Sequence, residues 1–166
     1  MPFDEVISLI NPVVTLDHID IRILDALQAD SSRTNQDLAR LVHVSAATCL
    51  RRVKRLVDTG VIERQIAIVS PDLVAQGLTA IVEVTLDRQS AEELAAFATL
   101  IAAAGEVQEC YRVASGPDFV LVVYAQDMDR YHAVVHRTLT AVANVRNVRA
   151  FFAVQRVKFA PRIPLR

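Results

Sequence analysis

The chain has 166 residues, 52% of them hydrophobic, and a formal net charge of -1 at pH 7. That length allows one domain or two small ones, and so small a net charge is unlike a protein that coats nucleic acid indiscriminately. Two cysteines give neither a disulfide framework nor a metal-ligand spacing, and we expect both to be buried, reduced thiols. The N-terminus lacks the basic region of a secretory signal and no apolar run is long enough to cross a bilayer. We therefore expect a soluble, cytoplasmic protein, with no function assigned to residues 1–15.

Residues 16–64 predict three helices. The first runs from Leu16 to Ala29. The second is capped by Thr34, with Asp37 completing a capping box. Ser45 caps the third, which runs to Thr59 and meets Gly60, a residue suited to the left-handed position after a helix. Helical spacing predicts that the core-facing side chains are Leu16, Ile19, Ile23, Leu24 and Leu27 on the first helix, Leu38, Leu41 and Val42 on the second, and Leu50, Val53 and Val57 on the third.

The third helix is the main functional signal in this half. Two short helices joined by a tight turn are typical of a helix-turn-helix, whose second helix lies in the DNA major groove. Arginine pairs with guanine acceptors or with phosphate, and the free N–H groups at the start of this helix form a further phosphate site. The alternative is that the basic side chains simply form a solvated face; their single sign favours DNA contact. They are Arg51, Arg52, Lys54 and Arg55.

After Gly60, the β-branched sequence VIERQIAIV suits an extended wing. Arg64 on this segment either touches the DNA backbone or is an ordinary exposed residue, and the sequence does not choose between them. The residues expected at the DNA are Thr34, Asn35, Ser45, Ala46, Thr48, Arg51, Arg52, Arg55 and Arg64.

From Leu78 onward the pattern predicts strand, helix, strand, strand, helix, strand. Ser90 opens the first of these helices, and Gly116 with Pro117 marks the turn between the two central strands. The second helix spans DMDRYHAVVHRTLTAVAN, and the last strand spans VRNVRAFFAVQRVKF. This order matches a ferredoxin-like domain with two helices on one face of an antiparallel sheet, and a second copy is the simplest cover for the other face. The inward residues of the second helix are predicted as Tyr131, Val135, Thr138 and Val142.

No catalytic set emerges, so we expect a protein that is not an enzyme and needs no cofactor. Four glycines in the chain nearly exclude a phosphate-binding loop. His132 and His136 lie one helical turn apart, but the sequence HAVVH lacks the Glu of a zinc hydrolase. A metal-dependent enzyme therefore ranks third among the possible functions, behind the two that are given below. The turn Ser115–Asp118 is capable of holding a small zwitterion, although Gly, Pro and Asp are ordinary turn residues and a plain hairpin is the simpler interpretation.

Taken together, these residues resemble the Lrp/AsnC (feast/famine) family of transcription regulators. The resemblance covers about residues 16–158. It includes the S-x-x-x-C-x-R-R pattern of Ser45 to Arg52, the linker-like SPDLVAQGL at residues 70–78, and the segments ECYRV and VQRVK. Further matches are Leu16, Asp17, Asp20, Arg33, Gly60-Val61-Ile62 and the turn with Asp118.

The resemblance implies a DNA-binding regulator that forms dimers and often octamers, and that binds a free amino acid where dimers meet. Its operator is expected to be double-stranded and pseudo-palindromic. Ser115 stands where the family usually has Gly, and Ala150 where a threonine is common. The runner-up function is a metabolite-binding oligomerisation module without DNA binding. The implied effector-binding residues are Val113, Ala114, Ser115, Gly116, Pro117 and Asp118.

The fold class expected from all of this is α+β, with an N-terminal winged helix-turn-helix and a C-terminal ferredoxin-like βαββαβ domain. The expected divisions are an N-terminal extension at residues 1–15, a DNA-binding domain at 16–64, a linker strand or hinge at 65–77, an effector-binding and oligomerisation domain at 78–160, and a tail at 161–166.

Overall fold

A computed structural model of the chain describes residues 14–74, 77–142 and 144–165, so residues 1–13 of the expected N-terminal extension lie outside it. The chain divides into two compact units. One is formed by residues up to Ala67 together with those from Phe159 onward, and the other by Ile68–Lys158. Within the described ranges, no helix is long and apolar enough to span a membrane.

The first unit contains three helices: α1 His18–Ala29, α2 Asn35–Val42 and α3 Ala46–Asp58. Asp17 caps α1 in a complete capping box with Asp20. The predicted caps of α2 and α3 are confirmed, since the side chains of Thr34 and Ser45 accept hydrogen bonds from the backbone N–H groups of Asp37 and Thr48. The predicted capping box of α2 is not formed, because the Asp37 carboxylate accepts from the Thr34 hydroxyl and not from the Thr34 N–H.

The backbone takes the left-handed conformation just beyond the C-terminal end of both α2 and α3. His43, in the tight turn between α2 and α3, has φ 57°, which is uncommon for a residue with a side chain. Gly60, just beyond α3, has φ 75° as predicted, and glycine adopts that angle without a steric penalty.

The core of this unit confirms the first helix and corrects the other two. Leu41, Leu50 and Val57 are exposed by 48%, 60% and 49%, so their predicted inward positions are wrong. On α3 the buried side chains are Cys49 and Leu56, with Val53 half-buried against them. The inward face is therefore rotated by one residue, about 100° on a helix. The buried set is Ile23, Leu24, Ala26, Leu38, Ala39, Val42, Cys49 and Leu56.

Residues 61–69 have no regular secondary structure, so no wing strand is formed there. The short helix α4, Pro71–Val74, follows in the second unit. Arg64 and the apolar side chains Ile66, Ile68 and Val69 of this segment are exposed.

The second unit is the predicted ferredoxin-like domain, which confirms the α+β fold class. Its strands are β1 Leu78–Leu86, β2 Val107–Arg112, β3 Phe119–Ala125 and β4 Val145–Phe152. They form an antiparallel sheet in the order β2-β3-β1-β4. Helices α5 Ala91–Ala102 and α6 Met128–Val135 cover one face, and side chains alternate between this covered face and the other along β1 and β3.

Three sequence expectations for this unit are wrong. The last strand stops at Phe152, which pairs with Ala80 of β1, and only the N–H of Ala153 continues the contact by donating to the carbonyl of Thr79. The second helix passes into a π-helical turn, His136–Thr140, which changes its phase and buries Val134 and Leu139 beside Tyr131 and Thr138, while Val135 and Val142 are only half-buried. Cys49 is buried, but Cys110 is exposed.

Candidate nucleic-acid interface and effector loop

The outer face of α3 carries exposed basic side chains. Arg51 and Lys54 are exposed and form no ion pair with any described residue. Arg55 is half exposed and is bonded to Asp20 at its inner edge. The exposed side of the helix thus carries two positive charges without an ion-pair partner among the described residues, and a partly exposed third at Arg55. The opposite side packs in the core.

Arg52 differs from its neighbours because its guanidinium points toward α1. Its Nη1 lies 2.7 Å from Oδ2 of Asp17 and 2.9 Å from Oδ1 of Asp20. Only 20% of the Arg52 side chain and 1% of the Asp20 side chain are exposed. Its Nε is buried with no hydrogen-bond partner in the described part of the chain. Arg52 therefore joins α3 to α1.

The same network controls the ionisation of the two carboxyl groups. The backbone N–H of Asp20 and then the Arg52 guanidinium lower the pKa of Asp17 from 3.8 to about 2. Burial opposes the ionisation of Asp20, but the N–H of Asp17 and the guanidinium groups of Arg55 and Arg52 outweigh it and lower the pKa of Asp20. Both carboxylates are accordingly charged at neutral pH, and Asp20 holds two cations of α3.

The first turn of α3 is fixed by short polar contacts. The Ser45 hydroxyl accepts from the N–H of Thr48 at 3.1 Å and donates to Oγ1 of Thr48 at 2.9 Å. Nδ2 of Asn35, at the start of α2, donates to the carbonyl of Ala46 at 2.9 Å. The two helix starts are thereby tied together, while Ser45 and Ala46 stay exposed. Such a helix start offers N–H groups to an anion.

The remaining predicted DNA residues are Thr34, directly before Asn35, and Arg64, six residues after the end of α3. Thr34 is exposed as the cap of α2, and its hydroxyl donates to Oδ2 of Asp37 at 2.6 Å. Arg64 is exposed in the irregular segment after α3 and pairs with no described carboxylate.

In the second unit, the predicted effector residues 113–118 form the loop between β2 and β3. The N–H of Val113 donates to the carbonyl of Asp118 at 3.1 Å and closes the loop. Oδ2 of Asp118 accepts from the N–H of Leu86 at 2.7 Å and from Nε2 of Gln89 at 3.2 Å. Asp118 therefore fastens the loop to the end of β1.

At the tip of this loop, Ala114, Ser115 and Gly116 are exposed. Gly116 has φ 88°, a left-handed conformation that a Cβ would strain, and no atom lies within 4 Å of where that Cβ would be. Ala150 faces the helix side of the sheet as the partner of Val82 on β1, and both belong to or pack against the domain core.

The second unit also holds a histidine pair and an open pocket. His132 and His136 are both exposed, and the described residues hold no cluster of three or more metal-binding side chains. An open pocket lies beside the start of β2 and the end of β3, far along the hairpin from the effector loop. Its lining residues are Gly105, Glu106, Gln108, Tyr124, Ala125, Gln126 and Arg130, none of which was a predicted effector residue.

Sequence reasoning missed the acidic partners of Arg52 and Arg55. The D-x-x-D spacing of Asp17 and Asp20 signals a capping box, but the pairing with α3 spans at least 32 residues of sequence and depends on the packing of two helices. The helical spacing of Cys49 and Leu56 could have predicted this pairing, because Arg52 lies between these two buried residues on the same side of α3.

Comparison with known proteins matches both units to described families. A family profile described as the winged helix-turn-helix DNA-binding domain matches residues 16–63, and one described as the Lrp/AsnC ligand binding domain matches residues 79–163. The leucine-responsive regulatory protein of Haemophilus influenzae is 37% identical over 143 residues, covering 86% of this chain and 86% of that protein. The DNA-binding transcriptional activator DecR of Escherichia coli is 31% identical, covering 90% of this chain and 99% of that protein.

Solved structures agree. An AsnC family transcriptional regulator from Agrobacterium tumefaciens has a TM-score of 0.80 at 32% identity, covering 90% of this chain and 97% of that one. A transcriptional regulator from Neisseria meningitidis, solved as a complex with L-Met, has a TM-score of 0.79 at 31% identity with the same coverage of both chains.

Proposed function

Since this chain belongs to the Lrp/AsnC family of DNA-binding transcriptional regulators, we propose that it recognises a specific operator through α3 and that a small effector, an amino acid, changes its assembly or its DNA binding. The family membership carries the regulator function. The finer proposal concerns which residues read DNA, what the effector is and how copies assemble.

The proposed DNA contact rests on one observation: α3 has one buried apolar side and one exposed side with basic residues. Cys49 and Leu56 are buried in the core, whereas Arg51 and Lys54 on the outer side are exposed without carboxylate partners among the described residues. A solvated helix face usually mixes both signs of charge, whereas the only acidic residue of α3 is Asp58, at its last position. Arg51 is therefore our principal candidate for a base or phosphate contact, with Lys54 and the outer part of Arg55 as phosphate contacts.

The start of α3 supports a second phosphate contact. Ser45 and Ala46 are exposed, and Asn35 and Thr48 hold this turn in place through hydrogen bonds. A phosphate at this point gains both the N–H groups and the positive end of the helix dipole. Thr34 and Arg64 are exposed and remain proposed contacts at the margin of the same surface.

The effector proposal is supported by the loop 113–118. Asp118 is already bonded to Leu86 and Gln89, so its carboxylate shapes the loop, and the exposed tip at Ser115 and Gly116 is available to a ligand. The L-Met complex of the Neisseria meningitidis regulator shows that a relative of this fold binds an amino acid. We extend that ligand class, not that particular amino acid, to this chain.

Assembly is supported by the uncovered face of the sheet. Ile81 and Phe151 are paired across β1 and β4, and both are exposed, as is Tyr111 on β2. These apolar side chains belong to the face without helices. A second copy packed on this face would place two α3 helices in one dimer, and two-fold symmetry then requires an operator with two half-sites about one helical turn apart. Dimers and octamers built from them are the proposed states.

The test is fluorescence anisotropy of the purified protein on DNA from its own promoter region, with unrelated DNA as competitor and a panel of amino acids. The proposal expects selective, salt-sensitive binding that one amino acid shifts. Selective binding that no amino acid alters would contradict the effector proposal alone. If the protein shows no salt-sensitive DNA affinity but still binds a ligand, the result would contradict the regulator function and favour a metabolite-binding oligomerisation module.

A further inference from the structure

The C-terminal tail, residues 159–165, packs with the helix-turn-helix unit and not with the sheet that precedes it in sequence. The chain thus enters the first unit twice, once before Ala67 and again after Lys158. Leu165 is half-buried against the helical core of that unit. The sequence predicts a tail only at residues 161–166, with residues 159 and 160 in the effector-binding domain.

The main tail contact is a two-way hydrogen bond to α1. Nε2 of Gln28 donates to the carbonyl of Ile163 at 3.1 Å, and the N–H of Ile163 donates to Oε1 of Gln28 at 2.8 Å. One side-chain amide thereby satisfies both backbone groups of a single tail residue. One helical turn away, Nη2 of Arg162 lies 2.9 Å from Oδ1 of Asp25.

The tail sequence suits this contact. Pro161 and Pro164 fix their own φ angles, and each biases the preceding residue toward extended backbone. Ile163 precedes Pro164, so its N–H and carbonyl are pre-set to project away from the chain. A tail stiffened by two prolines loses less conformational entropy when it docks than a flexible one.

Helix α1 joins the tail to the recognition helix. Its C-terminal half holds the tail through Asp25 and Gln28, and its N-terminal end holds Arg52 and Arg55 of α3 through Asp17 and Asp20. We propose that the docked C-terminal tail fixes α1 in place and, through α1, the position of α3. Gln28, Asp25 and Arg162 then act as positioning residues for α3. This inference rests on the proposed DNA-reading role of α3.

The test uses full-length protein with Gln28→Met, which keeps the side-chain length and removes both hydrogen bonds, and Arg162→Asp, which reverses one ion-pair charge. Asp25→Arg combined with Arg162→Asp restores the pair in the opposite sense. Lys158→Asp is the matched control, because it makes the same charge reversal four residues earlier at an exposed side chain that bonds to no described residue.

Two readouts separate docking from positioning. Amide hydrogen exchange over residues 18–29, without DNA, should be about five- to tenfold faster in Gln28→Met and Arg162→Asp than in Lys158→Asp, and slower again in the double swap. Operator affinity and the ratio of operator to unrelated-DNA affinity, measured where every variant is fully folded, should fall in the same two variants and recover in the swap.

Equal exchange in all variants would overturn the docked tail. Faster exchange with an unchanged affinity ratio would show that the tail only stabilises the unit, which overturns the positioning role. A wild-type protein that prefers no DNA would overturn the proposed function and the positioning role with it, whereas the exchange measurement still decides whether the tail docks.

Discussion

Arg52 on α3 and Asp20 on α1 form a largely buried ion pair, with Nη1 2.9 Å from Oδ1. Arg55 bonds the other oxygen of the same carboxylate, and Asp17 bonds Arg52 from the side. A buried carboxylate is costly without partners, and here the partners come from the helix that is expected to read DNA. The orientation of α3 therefore depends on two acidic residues that lie outside the helix-turn-helix itself.

Arg52→Ala should lower the free energy of unfolding by about 1–3 kcal/mol, because it leaves the buried Asp20 with one partner fewer. Arg52→Lys should recover only part of the loss, since the lysine ammonium lies on a shorter side chain than Nη1 of Arg52, which contacts both carboxylates. Arg51→Ala is the matched control and should unfold like the wild type. Urea unfolding followed by circular dichroism measures all three, and equal stability of Arg52→Ala and Arg51→Ala would contradict the ion-pair role.

Stability should fall in acid because of Asp17. Its folded pKa of about 2 lies below the ordinary 3.8, so the stabilisation is complete above the ordinary value and is lost as the pH falls toward the folded one. The lowered pKa of Asp20 acts in the same direction. Asp17→Asn keeps an N-cap acceptor and removes the titration. Its urea midpoint should change less than that of the wild type between about pH 5 and pH 2, and parallel pH profiles would refute the assignment.

Ser45 should contribute to both folding and DNA binding, and two substitutions separate these effects. Ser45→Ala removes the cap of α3 and should cost about 1 kcal/mol of unfolding free energy. Ser45→Asp keeps a capping oxygen but adds a negative charge where a phosphate is proposed. We expect it to fold like the wild type and to bind operator DNA more weakly than Ser45→Ala. Wild-type affinity in Ser45→Asp would mean that no phosphate lies at this helix start.

Gly116→Ala should strain the effector loop, since φ 88° costs a side chain about 1–2 kcal/mol even though the space is open. Gly105→Ala is the control: its Cβ also meets open space, and its φ lies outside the left-handed region. Thermal unfolding should separate the two variants, and the amino-acid shift in DNA binding should weaken only in Gly116→Ala. An unchanged effector response in a destabilised Gly116→Ala would argue against this loop as the ligand site.

Ile81→Glu should dissociate the proposed dimer, because it places a charge beside the exposed Phe151 on the face of the sheet that no helix covers. Leu100→Glu, on α5, changes an exposed apolar side chain outside that sheet face and serves as the control. Sedimentation equilibrium should give a lower mass for Ile81→Glu than for Leu100→Glu. The same mass for both would place the subunit contact on another surface.

Local signals in the sequence predicted the helix caps well, because Thr34, Ser45 and Ser90 each bond a backbone N–H three residues later. The strand and helix order of the second unit was also correct, since alternating burial leaves a pattern in the residues themselves. Both kinds of signal depend on neighbours in sequence, and neither needs a tertiary contact.

The errors come from contacts between distant segments. Helical spacing predicts Arg52 on the DNA side, opposite the expected inward face of α3, yet Asp17 and Asp20 on another helix hold it inward. The sequence pattern of the last strand continues past Phe152, but its pairing with β1 stops at Ala80. The tail contact at Gln28 links residues 135 positions apart, and no periodicity within either segment indicates it.

The most direct test of the central claim is the operator affinity of the wild type and of Arg51→Ala, measured by anisotropy over a series of salt concentrations. We expect the wild-type affinity to fall steeply and linearly on logarithmic axes. Arg51→Ala should bind more weakly while remaining fully folded. If it loses a phosphate contact, the salt slope should be shallower by about one; if it loses a base contact, preference at one operator position should relax by about 1–3 kcal/mol. Identical affinity, slope and sequence preference in the two proteins would contradict the assignment of α3 as the DNA-reading helix.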